Sequence, residues 1–573
     1  MSGPTHPLPD ETAPRSRSDD ADPITTEVIR HGLNSAAEQM KRALVRTAFS
    51  PVIYEVLDFA VAIYDRQVRL LAQAPALPLF MGTMSFCIEG AVEAVGGEDM
   101  LEPGDIVLYN VPYGTGSHPQ DAALVMPVFL DEMLIGYTTI KGHWLDIGGK
   151  EPYSTDTVDV FQEGTIFPGV KLFRRGELVP DIFRMATANS RVPKMVAGDL
   201  NAEVVGVRTG ANALLALVER HGLRTFEHSV ERMFEHGEAV VRSYFEGIPD
   251  GTYVGHGQLD NDGITDEPVP FEVVVEVSGS QVCIDYSRAP DALAGPFNAP
   301  VASTVSASRI AIQMLAGGNE APNEGHFRAI EVVARPGSMF HPLSPSPTFL
   351  CTWSALQAIE VIYDAIGKAI PHAVPAWSSS CLCGLVWWGV RERTGEPWAD
   401  GSPHPIGQGA HAEGDGASLI HVSEAATRFS PVEVCESRNP WLLEKVELAP
   451  DSGGAGQLRG GLGVDMSLQM LEHAYVTVVL ERTKVGSPGL AGGLPGRPNR
   501  ARIRYSDGSS RPLAKATRLS VPTGATIELM TGGGGGYGPP ERRSAIAITR
   551  DLREGYVTED HAGRDYRHVH GGG

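Results

Sequence analysis

Residues 118–146, HPQDAALVMPVFLDEMLIGYTTIKGHWLD, decide how the N-terminal half of the chain folds. Two apolar runs, 122–130 and 134–140, are separated by the short polar stretch 131–133, a pattern typical of a β-hairpin. Pro127 interrupts the first run, and because proline donates no ladder hydrogen bond it indicates an edge strand or a bulge. We predict an antiparallel strand pair here.

The two ends of this predicted hairpin carry the same motif, His-x-x-Asp. His118 and Asp121 precede the first strand, and His143 and Asp146 follow the second. A loop centred on residue 132 places Asp121 opposite His143 and His118 opposite Asp146. Opposed side chains lie about 4.5–5.5 Å apart, so we expect all four to converge at the open end of the hairpin.

Two imidazoles and two carboxylates at this spacing are suitable ligands for a divalent metal, and the mixed nitrogen and oxygen donors favour Mn, Fe or Zn. Without a cation, the two carboxylates would repel each other and raise one pKa. The alternative is a pair of ordinary polar turns in which each histidine bonds its own aspartate. The residues alone leave both interpretations open.

The rest of the chain predicts an α+β, multi-domain protein, with mixed sheets and packed helices in the N-terminal half and a β-rich, glycine-rich C-terminal part. Apolar spacing of three and four predicts helices at 26–48, 195–221, 225–246, 302–316 and 351–369. Strands are predicted at 59–64, 271–277, 281–286, 475–480, 501–505, 525–530 and 544–549. The proposed division is a disordered tail (1–23), an α+β metal-site domain (24–250), a mixed α/β middle domain (251–430) and the β-rich part (431–573).

Composition narrows the class of partner. The 573 residues include 47 Lys and Arg against 70 Asp and Glu, a net charge of −23, which disfavours nucleic acid and an anionic membrane surface as partners. Six scattered cysteines in so long a chain fit a reducing cytoplasm. No nucleotide-binding G-x-x-x-x-G-K-[ST] motif occurs, and the glycine run 532–536, followed by Pro539, is predicted to be a mobile or tightly turning loop.

An ordered set of motifs resembles the hydantoinase B/oxoprolinase family from about residue 24 to the C-terminus. The motifs are EVLDF (55–59), NVPYGTGSHPQD (110–121), GHWLDIGG (142–149), DSGGAGQLRGGLG (451–463) and TGGGGGYGPPER (531–542). The family contains the B subunits of ATP-dependent hydantoinases and related parts of 5-oxoprolinases, caprolactamase and the acetone and acetophenone carboxylases.

The resemblance implies a cytoplasmic, hetero-oligomeric enzyme. Its metal ligands, carried over by motif, are Glu55, His118, Asp121, His143 and Asp146. A separate A-type subunit is expected to use ATP to phosphorylate a small-molecule substrate, which this chain then hydrolyses at a cyclic amide. Asp58 and Asp146 are the candidate general bases, and Arg191 is the candidate anchor for a carboxylate or phosphate.

Three positions depart from the family pattern. Val111 replaces an aspartate, and Ala76 and Phe80 stand where histidines are usual. These changes leave two alternatives open: a subunit of an acetone- or acetophenone-type carboxylase, and a degenerate scaffold subunit without activity.

Overall fold

A computed structural model of the chain describes residues 22–318, 320–420, 428 and 430–566. It contains helices and several mixed or antiparallel sheets, which confirms the predicted α+β class. Most of the predicted tail, 1–21, lies outside the described residues; Asp22 caps the first helix, which begins at Pro23. No helix within the described ranges is both long and apolar enough to cross a membrane.

A seven-stranded sheet forms the centre of the N-terminal half. Its spatial order is β2-β1-β5-β4-β3-β6-β7. The strands are β1 (Phe59–Asp65), β2 (Leu70–Gln73), β3 (Ile106–Tyr109), β4 (Asp121–Leu130), β5 (Met133–His143), β6 (Pro168–Arg174) and β7 (Glu177–Leu178). The predicted hairpin is therefore the β4–β5 pair, and it occupies the middle of the sheet.

Both faces of this sheet are covered by helices, which is why β1 is buried along its whole length. Phe59, Val61 and Ile63 face one apolar core with the long helices, while Ala60 and Ala62 belong to a second core with the helix Met84–Ala94. The helices of this half are α1 (Pro23–Thr47), α2 (Pro51–Tyr54), α3 (Pro78–Met81), α4 (Met84–Ala94), α5 (Pro112–Thr115), α6 (Pro180–Ala188), α7 (Pro193–His221) and α8 (Leu223–Phe245).

A four-stranded sheet follows, in the order β11-β10-β9-β8. Its strands are β8 (Gly251–Leu259), β9 (Val269–Ser278), β10 (Gln281–Asp285) and β11 (Ile330–Val333). Helices α9 (Val301–Ala316) and α10 (Cys351–Ile366) pack against it and share its apolar core. The predicted hairpin 271–286 is confirmed, with Ser278 paired to Gln281.

Two further sheets contain the remaining strands, in the orders β13-β12-β16-β19 and β14-β15-β20-β17-β18. The strands are β12 (Gly384–Val390), β13 (Pro397–Ser402), β14 (Trp441–Leu448), β15 (Val464–Met470), β16 (Ala474–Val479), β17 (Arg500–Arg504), β18 (Ser510–Leu513), β19 (Lys515–Val521) and β20 (Thr526–Met530). The first of these sheets joins strands from both sides of residue 430. The proposed domain boundaries stay a prediction.

The last predicted strand, 544–549, is wrong. The described part of the C-terminal third contains the short α-helices α11 (Val432–Arg438), α12 (Ala545–Arg553) and α13 (Glu559–Asp565). The alternating run SAIAIT reads as a strand, but the Ser544 side chain accepts a hydrogen bond from the Ala547 backbone and starts α12.

The glycine run 532–536 forms no helix or strand, and it is buried against other segments of the chain rather than exposed as a loop. Its backbone bonds to several other glycine-rich stretches: Gly534 donates to the Gly461 carbonyl (3.0 Å) and accepts from the Gly454 amide (2.8 Å). A Cβ on Gly534 would overlap the carbonyl of Gln408. Only glycine allows backbones to approach this closely, so the composition of this region reflects packing.

Candidate metal centre

The structure brings His118, Asp121 and His143 together at one end of the β4–β5 hairpin. Asp121 begins β4 and is directly opposed to His143 at the end of β5, in the predicted register. That register holds from Asp121 to Val128 and then shifts at a bulge between Val128 and Phe129, next to Pro127. The pairing of β3 with β4 covers only Ala123–Val125. Pro127 thus lies beside a bulge and past Val125, the last residue of β4 that pairs with β3.

The side-chain distances define a compact cluster. His143 Nδ1 lies 2.9 Å from Asp121 Oδ1, and His118 Nε2 lies 3.6 Å from Asp121 Oδ2. One ligand atom from each residue lies within 4.8 Å of the other two. The two imidazole rings meet edge to face, 5.0 Å apart. Three side chains with free ligand capacity can therefore reach one ion.

A second layer of contacts fixes the orientation of His118. Gln120 donates from Nε2 to the Glu163 carbonyl (2.9 Å), which leaves its Oε1 to face His118 Nδ1 at 2.8 Å. Since an amide oxygen only accepts, Nδ1 carries the proton and the Nε2 lone pair points toward Asp121. The ring also stacks on Phe349, with 5.1 Å between centroids. His118 is thus held in the tautomer that a metal ligand requires.

Burial and mutual charge set the ionisation of the cluster. Burial lowers the pKa of His118 to about 4. Burial alone would raise the pKa of Asp121, but His118, which is protonated in the acid range where Asp121 titrates, and the hydrogen bond and charge of His143 outweigh burial and lower that pKa to about 2. For His143 the hydrogen bond to Asp121 overcomes the effect of burial, and its pKa is raised. The cluster keeps an ionised carboxylate between two imidazoles.

Asp58 lies beside the cluster, immediately before β1, the strand that pairs with β5. Its backbone carbonyl accepts a hydrogen bond from the His143 amide (3.1 Å), and its Oδ1 is buried without a hydrogen-bond partner among the described residues. Burial raises the pKa of this carboxyl to about 6. Asp58 lines the same cavity as the two histidines.

The structure does not bring Asp146 into the cluster. Its carboxylate accepts hydrogen bonds from the side chain and backbone of Arg191. The Arg191 guanidinium also donates to the carbonyl of Gly149. Asp146 and Arg191 therefore bind each other and close the turn that follows β5.

Glu55 also lies away from the three clustered side chains. It lines a neighbouring cavity of about 300 Å³ together with Arg391, Asp400 and Arg438. This outer cavity and the cavity at the histidines share Val52 and other lining residues, so the two are adjacent.

The inner cavity, of about 100 Å³, is walled mainly by apolar and aromatic side chains. Tyr153, Trp353 and Val386 come from segments far apart in the sequence, and Phe80 closes another side. Sequence reasoning missed Tyr153, Gln120 and the buried Lys141. Only Lys141 left a signal, as a charged residue within an otherwise uncharged strand run, TTIKGH.

Lys141 is fully buried behind Phe80. Its ammonium donates to Thr83 Oγ1 (2.6 Å), the Thr115 carbonyl (3.0 Å) and Ser117 Oγ (3.3 Å). It also lies 4.2 Å from the centroid of the Phe80 ring. Phe80, one of the three positions that depart from the family pattern, thus separates this cation from the cavity. Ala76 is buried in the core, and Val111 precedes helix α5.

The donor set fits a divalent metal. Asp121 Oδ2 is completely buried and has no hydrogen-bond partner among the described residues, although the unprotonated Nε2 of His118 faces it. Two electron-rich atoms in such a position repel each other unless a cation lies between them. Two imidazole nitrogens and a carboxylate oxygen match the preferences of Mn, Fe or Zn.

Comparisons with known proteins identify the relatives of the chain. The sequence profile described as Hydantoinase B/oxoprolinase matches residues 22–540. The caprolactamase subunit beta of Pseudomonas jessenii is 28% identical over 560 residues, covering 95% of this chain and 96% of that protein. The 5-oxoprolinase of Dictyostelium discoideum is 26% identical, covering 90% of this chain and 40% of the longer protein.

Solved structures share the fold. The crystal structure of the ATP-dependent caprolactamase from Pseudomonas jessenii superposes with a TM-score of 0.90 at 27% identity, covering 97% of this chain and 98% of that chain. A nucleotide-free acetone carboxylase gives a TM-score of 0.88 at 18% identity, covering 97% of this chain and 81% of that chain, a likeness of fold alone.

Proposed function

The chain belongs to the hydantoinase B/oxoprolinase family, and from that premise we propose that it is the metal-containing subunit of an ATP-dependent cyclic amide hydrolase. The proposed substrate is a lactam, hydantoin or oxoproline-like ring that a separate A-type subunit activates with ATP. The observation that carries the proposal is the convergence of His118, Asp121 and His143 around an unpartnered carboxylate oxygen.

His118, Asp121 and His143 are the residues that would hold the ion. A bound divalent ion at such a site polarises a carbonyl oxygen and lowers the pKa of water toward about 7. Gln120 keeps His118 in its ligand tautomer, and Phe349 restricts rotation of the ring. Glu55 and Asp146, predicted as additional ligands, contribute no atom to the three-residue cluster.

Asp58 is the proposed general base. Asp58 lines the cavity, and its buried Oδ1 has no hydrogen bond to the described residues, so we propose that this carboxylate accepts a proton from a nucleophile bound beside it. Asp146 and Arg191 instead hold the 146–149 turn through their mutual hydrogen bonds. We propose that they position the backbone beside His143.

The proposed partner supplies the energy. The chain lacks a P-loop motif, and its caprolactamase relative is named as a beta subunit of an ATP-dependent enzyme. We therefore propose a cytoplasmic hetero-oligomer in which the A-type subunit binds ATP. A carboxylase is the second candidate, since the acetone carboxylase shares the fold. Incorporation of labelled bicarbonate by the reconstituted pair would favour the carboxylase, and ring opening without incorporation favours the hydrolase.

Metal analysis tests the centre directly. We expect about one divalent ion per chain in the purified protein and loss of most of it in His118→Ala and His143→Ala. The matched control is His256→Ala, because His256 is an exposed histidine that pairs with Glu272 on β9. Full metal content in both site variants would refute the proposed centre, and absence of metal from the native chain would favour a scaffold subunit.

A further inference from the structure

A cavity of about 280 Å³ lies between strand β2, helices α3 and α9 and the turn at 322–327. Among the residues that the structure describes, none lines both this α9 cavity and the inner cavity. Ser306 on α9 donates to the Leu79 carbonyl of α3 (2.7 Å), and a Cβ on Gly82 would overlap the Ser306 side chain. The two helices therefore pack in direct contact beside the cavity.

A bulge in β2 turns Gln73 toward the α9 cavity. Leu70 opposes Tyr64, and Gln73 opposes Ala62, so a step of three residues in β2 matches a step of two in β1. Opposed side chains lie on one face of a sheet, as do side chains two apart in one strand. Gln73 therefore shares a face with Leu70 and lines the cavity with it, whereas a regular strand would place them on opposite faces.

Three acceptor groups line the cavity. Gln73 is only 7% exposed, and its buried Oε1 has no hydrogen-bond partner among the described residues. The buried Oε1 of Gln313 is likewise unpartnered within the described part of the chain. Glu324 adds a carboxylate, of which Oε2 accepts a hydrogen bond from the Leu70 amide (3.1 Å). Because a buried acceptor without a donor is unfavourable, these groups favour a ligand that brings N–H donors, and an ammonium group offers three.

Arg309 supplies the opposite charge. It lies one helical turn before Gln313 on α9, so the two side chains share a face of that helix. Its guanidinium lies 4.6 Å from the centroid of the Phe327 ring and forms no salt bridge with the residues described. The planar donors of a guanidinium suit a carboxylate. Ile310 and Met81 add apolar surface to the same cavity.

The two charged groups act on one hydroxyl in the cavity wall. Burial raises the pKa of the Tyr64 phenol well above its usual value, the Glu324 carboxylate raises it further, and the Arg309 guanidinium lowers it. Tyr64 lines the α9 cavity together with both. A ligand that lies against this wall therefore meets a carboxylate and a guanidinium together.

We propose that the α9 cavity binds a zwitterionic amino acid with an apolar body. The ligand carboxylate pairs with Arg309, and the ligand ammonium donates to Glu324 and to the Oε1 atoms of Gln73 and Gln313. The apolar body lies against the hydrophobic wall. Binding here does not depend on the metal centre. Hydrolysis of a lactam yields an amino acid of this kind, so under the proposed function the cavity would hold a product away from the site that forms it.

Calorimetric titration of the full chain tests the inference with two amino acids. In 6-aminohexanoate the two charges lie at the ends of an apolar chain, and in leucine they lie on one carbon. Each is compared with the analogues that lack one charge, hexanoate and hexylamine for the first, 4-methylpentanoate and 3-methylbutylamine for the second. At least one amino acid should bind about 10-fold or more tightly than both of its analogues, the effect of a hydrogen bond to a charged group.

Variants assign the two charges to their partners. Arg309→Met should weaken binding of the amino acid about 10-fold and leave its amine analogue unchanged, because that analogue has no carboxylate. Gln73→Leu should weaken binding of the amino acid and leave the carboxylate analogue unchanged. Arg288→Met is the matched control, because the Arg288 side chain is 58% exposed, faces Glu272 (3.7 Å) and lies outside the cavity lining. It should change none of these affinities.

Failure of both amino acids to bind at any attainable concentration would overturn the inference, as would equally tight binding of an analogue that lacks one charge. His118→Ala separates this site from the proposed function. The variant should bind the amino acid with native affinity, and loss of binding would place the ligand in the inner cavity and overturn the inference. Metal content measured on the same samples tests the proposed centre independently.

Discussion

Replacing Gln120 with leucine removes the contact that orients His118 without touching a proposed ligand. Gln120 makes two buried hydrogen bonds, one to His118 Nδ1 (2.8 Å) and one to the Glu163 carbonyl (2.9 Å). Leucine has a similar volume but makes neither bond. The His118 ring, stacked on Phe349, has little freedom to find another partner. Loss of such an outer contact typically weakens metal binding about 10- to 100-fold, or about 1.4–2.7 kcal/mol.

Competition with a chromogenic chelator measures this change as a ratio of dissociation constants. Gln73→Leu is the matched control, because Gln73 is also a buried glutamine but lies on the edge strand β2 and lines a different cavity. We expect the control to keep native metal affinity. A folded Gln120→Leu variant with the native dissociation constant would show that the His118–Gln120 contact does not support a metal ligand.

Two further predictions concern stability. Gly534→Ala should lower the free energy of unfolding, measured in urea titrations, by about 1–3 kcal/mol or more, because the new Cβ would overlap the backbone of Gln408. The control Gly414→Ala, whose Cβ meets nothing closer than 3.4 Å, should change that free energy by less than about 0.5 kcal/mol. Equal effects of the two substitutions would show that close backbone packing does not require glycine at position 534. Burial alone would raise the pKa of Asp415, but its hydrogen bonds to Arg543 (2.8 and 2.9 Å) lower that pKa in the folded chain. Ionised Asp415 therefore stabilises the fold fully above its unfolded pKa of about 4, and this contribution is lost as the pH falls below that value. The difference in unfolding free energy between the native chain and Asp415→Asn should shrink as the pH falls through this range, and a difference that grows would refute the role of the Asp415–Arg543 pair.

The candidate metal centre can be predicted from the sequence because its geometry is local. Asp121 and His143 belong to one hairpin, and a two-residue alternation with a short loop fixes which residues oppose each other. The bulge at Val128 lies toward the loop, so it does not disturb the register at the open end. His118 lies next to this pair because its carbonyl accepts a hydrogen bond from the Asp121 amide (3.1 Å), which holds the turn that contains His118 against the start of β4.

The same register argument places Asp146 opposite His118, and the structure does not show this arrangement. The arrangement requires the β4–β5 pairing to continue past the end of β5, but regular pairing stops at His143 and the chain turns there. Beyond a strand end, side-chain direction depends on tertiary partners, and here the partner is Arg191, 45 positions away. The strand predicted at 544–549 is wrong because apolar alternation over six residues does not distinguish a strand from a short helix that begins at a serine cap.

The wall of the inner cavity, in contrast with the His118, Asp121 and His143 cluster, is built from parts of the chain that are far apart in sequence. Tyr153, Trp353 and Val386 reach the inner cavity from a loop, a helix and a strand of another sheet. No local pattern predicts that they meet, because their approach depends on how the sheets pack. It follows that side chains of the cavity wall can change without altering the hairpin register that brings Asp121 and His143 together.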